Sequence, residues 1–425
     1  MGKTSPRSRC VAPGMAPAVA LALCAACAHA AAPRPALEEP PAAPAPAPAP
    51  EEAVAPPAPG AAEPGAAAAA AQPIVFAAVG DVMLGSTFPD ESKGSLLPPD
   101  DGAQLLAEVA PVLQGADVAF GNLEGPLLDE GTSDKCKNAK PGRCYAFRVP
   151  ERYGEHLARA GFKVFSLANN HVSDFGDAGR ARTREVLGRL GIAYSGAPGE
   201  AAFLEVRGVR VALIAFSVSA GTNDLRDLEG AAQLVAGLRE KADLVVVSFH
   251  GGGEGAGYQH VPAGPELFYG EDRGDVRRFA HAVIDAGAAL VLGHGPHVVR
   301  GLELYRGRLI AYSLGNFATY QGMNLAGPNG LTMVLEVRLA RDGTFLGGVI
   351  HPAVQEKPGG PRWDPTGALI PVVRQLSRED FGAAAPEIAD DGAVAAPAPA
   401  PVASSPLRAS LGRGASAPDR SARTP

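Results

Sequence analysis

Five short apolar runs, each ending in a polar cluster, constrain the fold of this chain more than any other feature. The runs cover residues 74–79, 117–120, 163–167, 244–249 and 289–292. The clusters that follow them are Gly80-Asp81, Asn122-Leu123-Glu124, Asn169-Asn170-His171, His250 and Gly293-His294-Gly295-Pro296-His297. Runs this short and this rich in Val, Leu, Ala and Phe read as buried strands. Segments with apolar residues at helical spacing lie between strand runs, at 103–113, 150–160, 179–190, 225–241 and 274–286. Such alternation predicts an α/β sandwich. Further strands at 209–216, 309–312, 331–339 and 345–351, the last two flanking the hairpin signal Arg341-Asp342-Gly343, predict mixed sheets.

Much of the rest is not expected to fold. Residues 1–30 carry a basic start (Lys3, Arg7, Arg9), an apolar stretch at 16–28 and the cleavage pattern Ala28-His29-Ala30, which together read as an export signal. A second reading makes Cys27 the lipidated first residue of a membrane-attached lipoprotein. Both place the protein outside the cytoplasm, in the periplasm or cell envelope. Residues 31–72, almost entirely Ala, Pro, Glu and Gly, read as a disordered tether, and 383–425 as a disordered tail of similar composition with Ser and Arg. The folded domain is therefore expected at 73–382. Outside the signal region only Cys136 and Cys144 remain, an even pair that reads as one disulfide. A net charge of −7 over 425 residues argues against generic nucleic-acid binding and offers no bulk attraction to a polyanion.

Loops that leave the carboxyl ends of strands in α/β sheets share one rim, so the five clusters are expected to converge. Asp81, Glu124, Asn170, His250, His294 and His297 are then candidate metal ligands, more than one tetrahedral ion needs. Two divalent ions, of Mn, Fe or Zn, would accommodate them and activate a shared water. In Gly293-His294-Gly295-Pro296-His297 the glycines and proline stiffen a turn that carries two imidazoles. Asn122 lies on the same side of an extended segment as Glu124, where one could bind and the other orient. Asn169, Glu254 and Asn316 are further candidates for orienting the ligands. His171 is the candidate proton donor, with Asp174 fixing its tautomer.

The segments Gly80 to Leu84, Asn122-Leu123-Glu124, Ala168 to Gly176, His250 to Glu254, Gly293 to His297 and Tyr312-Ser313-Leu314-Gly315-Asn316-Phe317 resemble the CapA family of poly-γ-glutamate capsule-synthesis proteins, which is related to the calcineurin-like metallophosphatases. The resemblance spans residues 74–354. It implies a four-layer α/β/β/α sandwich with a two-metal rim, the six ligands named above and His171 as proton donor. It also implies departures: Asp81-Val82-Met83 lacks the His of the metallophosphatase Asp-x-His motif, and Asn122-x-Glu124 stands where those enzymes use an aspartate. Gly251 and Gly295 stand where CapA-like proteins carry Trp and a second His. The function expected is capsule or poly-γ-glutamate synthesis or processing by a metal-dependent hydrolase or transferase acting on an amide-linked acidic polymer. The alternatives are a non-catalytic factor that binds or anchors such a polymer, with Arg180, Arg182, Arg184 and Arg189 as an anion-binding face, and a metallophosphoesterase.

Overall fold

The structure is a computed structural model that describes residues 72–88, 96–137 and 144–397. The export signal, Cys27, residues 31–71 of the tether and residues 398–425 of the tail lie outside the described residues.

The first four strands, β1 (Ile74–Met83), β2 (Val118–Leu123), β3 (Phe162–Ser166) and β4 (Ala193–Ser195), run parallel in that spatial order. Their crossovers carry α1 (Ala110–Gly115), α2 (Gly154–Ala160) and α3 (Gly176–Arg189). The chain then builds a second sheet. A hairpin joins β5 (Ala201–Val206) to β6 (Val209–Ser217), and the two-residue β7 (Asn223–Asp224) pairs with the end of β6. Helix α4 (Leu228–Arg239) leads into β8 (Leu244–His250), parallel to β6. After a small separate hairpin, β9 (Leu267–Phe268) and β10 (Glu271–Asp272), α5 (Val276–Asp285) leads into β11 (Leu290–His294), parallel to β8. The antiparallel pair β12 (Leu302–Tyr305) and β13 (Arg308–Ala311) completes that sheet. The remainder returns to the first sheet: β14 (Asn316–Thr319) pairs parallel to β1, β15 (Leu331–Leu339) antiparallel to β1, and β16 (Phe345–Gln355) antiparallel to β15. Last come β17 (Pro361–Trp363), α6 (Leu369–Phe381), β18 (Glu387–Ile388) and β19 (Ala393–Ala395).

Side-chain alternation along the strands turns these two sheets into four layers. Phe76 and Ala78 of β1 point into one buried cluster with Leu213, Val246, Leu290 and Leu292 of the second sheet, whereas Ala77 and Val79 join Leu113, Leu157 and Val186 of the helices outside. Likewise Val246 faces between the sheets while Val245 and Val247 pack on Val235, Phe279 and Val283 of α4 and α5. Both faces of β1, β2, β8 and β11 are covered, which is why these runs read as continuous apolar stretches rather than alternating ones. Each fully buried Val or Phe side chain contributes roughly 1.5–3 kcal/mol relative to exposure, so the layers are held by burial on three interfaces. Helices α4 and α5 begin at Asp227 and Asp275, whose side chains accept from the backbone N–H of Gly230 and Arg278 at 3.0 Å each. The expected mixed sheets and α/β/β/α layering are the observed architecture.

Some expectations need correction. The helix expected over 103–113 begins only at Ala110, because Pro111 has no N–H to spend inside a helix and sits in the first turn, preceded by a series of turns. The domain does not end at residue 382. Residues 383–397 fold back, with β19 paired to both β16 and β18, because Ile388 and Val394 find buried places in the inter-sheet core despite their Ala-rich surroundings. Gly80 lies within β1, which continues to Met83, and a Cβ there would stand 1.9 Å from the Gly315 carbonyl oxygen. Glycine is needed there for close approach.

Candidate metal centre

That approach fixes Asp81, whose N–H donates to Gly315 O at 2.9 Å as β1 bulges at this point. Asp81 is fully buried, and so are Asn122, Glu124, Asn169, His250 and His294, all at the carboxyl ends of strands β1, β2, β3, β8 and β11 or just beyond. Asn122 Nδ2 donates to Asp81 Oδ1 at 2.9 Å and lies 3.4 Å from His250 Nδ1. Asn169 Nδ2 donates to Asn122 Oδ1 at 3.0 Å and to Leu123 O at 2.9 Å, tying the end of β3 to the end of β2. On the other side, His297 Nδ1 meets Asp81 Oδ2 at 2.9 Å, while its Nε2 stands 3.8 Å from Glu124 Oε1. His250 Nε2 stands 3.7 Å from the same Glu124 oxygen. Asp81, Glu124 and His297 each offer a ligand atom, all within 4.8 Å of one another.

Burial dominates the electrostatics. It pushes the Glu124 carboxyl well above the usual range, and the neighbouring Asp81 charge pushes the same way. Burial also lowers His250 well below the ordinary imidazole value, helped by Arg273, and lowers His294 despite Asp81. His297 is the exception. Burial again favours the neutral ring, but Glu124 and Asp81 outweigh it and carry the ring up to about 10.

Five buried polar atoms of the candidate ligands have no hydrogen-bond partner: both Glu124 carboxylate oxygens, Asn170 Oδ1, His250 Nε2 and His294 Nδ1. His294 is unambiguous, since its Nε2 donates to Val79 O at 3.1 Å and so leaves a lone pair at Nδ1. A buried polar group left unpaired costs about 1–3 kcal/mol, so orphaned acceptors around two carboxylates are an expensive arrangement for a protein alone. They fit divalent cations, which supply the missing positive charge.

The turn after β3 carries the other predicted chemistry. His171 Nδ1 meets Asp174 Oδ2 at 2.7 Å, and His171 N–H donates to Asn169 Oδ1 at 3.0 Å. Burial lowers the His171 ring, opposed by the Asp174 hydrogen bond. Asn316 lies opposite Asp81 in the β1–β14 register, and its Nδ2 donates to His297 O at 3.2 Å. Glu254 pairs with buried Arg273 at 3.0 Å rather than with the ligand set. Arg180, Arg182 and Arg184 are each paired with a carboxylate, of Asp177, Glu151 and Glu200 respectively, which leaves little of the expected anion-binding face. Cys136 and Cys144 form a disulfide.

Three contributors were not anticipated. Asn329 Nδ2 donates to His297 O at 3.0 Å, supporting that residue in its left-handed conformation (φ 55°). Arg273 lies buried beside the His250 loop, its Nε donating to Gly252 O at 3.0 Å. Lys135 reaches Asp174 Oδ1 at 2.5 Å. Asn329 reads as a Pro-Asn-Gly turn and Lys135 as a solvated charge, so sequence alone carried no signal for them.

Similarity to known proteins identifies the family. The chain is 29% identical over 351 residues to the capsule biosynthesis protein CapA of Bacillus anthracis, covering 77% of this chain and 76% of that one. It is 29% identical over 286 residues to the PGA biosynthesis protein CapA of Bacillus subtilis (strain 168), covering 63% and 68%. Among solved structures, the calcineurin-like phosphoesterase YfkN of Bacillus subtilis aligns at 12% identity with a TM-score of 0.37, over 66% of this chain and 90% of that one. The profile of the family described as "Bacterial capsule synthesis protein PGA_cap" matches residues 75–321, more than half of the chain. This chain belongs to the PGA_cap family of bacterial capsule synthesis proteins.

Proposed function

We propose that this is an exported accessory protein of capsule or poly-γ-glutamate synthesis whose buried centre hydrolyses or transfers an amide linkage in an acidic envelope polymer. The observation that carries the reading is the set of unpartnered buried polar atoms on Glu124, Asn170, His250 and His294 beside the Asp81–His297 pair, with His171 and Asp174 next to it. Asp81, Glu124, Asn170, His250, His294 and His297 would hold the divalent cations. When bound, such ions activate water near neutral pH and polarise a scissile carbonyl. The chain's own groups supply the rest. Asn122 and Asn169 hold the Asp81 carboxylate and the ends of β2 and β3 in register. Asp174 fixes His171 through Nδ1, leaving Nε2 free to take up the proton released by the attacking water and pass it to the leaving amine.

Charge supports the same reading. Two clefts adjoin the centre, one of about 730 Å³ beside Asn170 and Asp174 and one of about 1050 Å³ beside His297 and Glu254. Among the described residues, Lys135 is the single lysine or arginine lining either, so an anionic substrate would depend on bound cations for attraction. The relatives named for capsule and PGA biosynthesis, and a disulfide suited to an oxidising compartment, support export to the envelope. Elemental analysis of the purified protein, with hydrolysis assays on poly-γ-glutamate and on bis(4-nitrophenyl) phosphate, tests the reading. Stoichiometric metal with polymer cleavage is expected. Cleavage of the phosphodiester alone would make the protein a phosphoesterase, and absence of metal would leave a polymer-binding factor.

A further inference from the structure

Lys135 and Phe147 come from the two arms of the Cys136–Cys144 crosslink and grip the Asn170–Asp174 turn from two sides. Lys135 Nζ donates to Asn170 O at 2.8 Å and to Asp174 Oδ1 at 2.5 Å, and lies 3.4 Å from His171 Nδ1. The Phe147 N–H donates to Asp174 Oδ2 at 2.8 Å, and its ring lies 4.4 Å from the His171 ring. Cys136 directly follows Lys135, and Cys144 Sγ is 3.7 Å from Lys135 O, so the crosslink abuts both arms.

We infer that Lys135 is a positioning residue for the metal centre, and that the Cys136–Cys144 crosslink is what holds it in place. The inference rests on the reading of Asn170 as a ligand. Lys135 spans the turn that displays Asn170, whose Oδ1 is buried and unpartnered, and fixes that turn through its backbone carbonyl. A lysine side chain left free gives up much of its rotamer freedom to hold two acceptors at once. A covalent bridge at the adjacent residue instead fixes the backbone from which that side chain reaches. The side chain is 31% exposed while its partner Asp174 is fully buried, so the surface arm anchors a buried carboxylate rather than the reverse.

The test is Mn²⁺ and Zn²⁺ binding by titration calorimetry on the full chain. Lys135→Met is expected to weaken binding about 10-fold or more, the usual effect of removing a group that supports a ligand. Lys135→Arg, which keeps a cationic donor, restores most of it. Cys136→Ser/Cys144→Ser weakens binding similarly, and adding Lys135→Met to that pair brings no further loss, because both act through one contact. Thermal unfolding of the metal-free variants checks that each folds. Unchanged affinity in Lys135→Met, or additive losses, overturns the inference and leaves the metal reading intact. Absence of binding in the unmodified protein, also seen with His294→Ala, overturns both.

Discussion

Asp81 Oδ2 and His297 Nδ1 stand 2.9 Å apart although 216 residues separate them in the chain, and that contact joins the two sheets at their common rim. The other carboxylate oxygen, Oδ1, is held by Asn122, so both sides of the group are committed before any cation arrives. Asp81→Asn should lower Mn²⁺ affinity at least about 100-fold, at the upper end of what a single ligand or its support contributes. Calorimetric titration measures it; an effect under about threefold would remove Asp81 from the ligand set.

Glu124 is buried beside Asp81 with neither oxygen hydrogen-bonded. Glu124→Gln should therefore abolish metal binding with little change in the unfolding midpoint of the chelated protein, since the cost of burying the charge it removes offsets the lost attraction to His297. Thermal melts in EDTA, alongside metal analysis, provide the check. A large loss of stability would mean that Glu124 serves the fold.

Metal-free protein should show a pH-dependent stability that reports His297. Its folded value of about 10 lies above the ordinary imidazole value of about 6.5. The charged ring therefore adds stability that is fully present below about pH 6.5 and is lost as pH rises through about 10. Melting of the chelated protein is expected to fall between about pH 7 and 10, and His297→Gln should flatten that slope.

His171→Ala should cut kcat on the responsive substrate by about 10²–10⁴ with KM and bound metal unchanged, as expected for loss of a proton donor. Asp174→Asn should reproduce part of that loss, because the ring would lose its orienting carboxylate. A proportional rise in KM would instead place His171 in ground-state binding.

Gly80→Ala should destabilise by at least about 3 kcal/mol, since its methyl would meet backbone rather than a yielding side chain. Urea unfolding measures this, and a neutral result would mean that β1 does not sit against Gly315 as described.

The central strands were legible in the sequence because strands covered on both faces show up as near-unbroken apolar runs, as at residues 244–249 and 289–292. Strand β5, with an exposed Phe203 and Glu205, gave no such run and was not foreseen. Convergence of Asp81, Glu124, His250 and His297 followed from strand-end logic, since each terminates or follows a strand. Lys135, Asn329 and Arg273 could not be found that way. They act by reaching across loops from positions with no periodic signature, and their partners Asp174, the His297 carbonyl and Glu254 are chosen by tertiary packing alone.

Gly295, at φ 112°, lies against the peptide of Gly251, so close that a Cβ would stand 2.7 Å from the Gly251 carbonyl oxygen and 2.8 Å from its nitrogen. A Cβ at Gly251 would in turn crowd Leu225 and the Arg273 carbonyl. The two positions are thus locked as a couple. A side chain introduced at Gly295 would have to displace the main chain of the neighbouring loop, not merely a yielding side chain, so this stretch of the rim is confined to bare peptide.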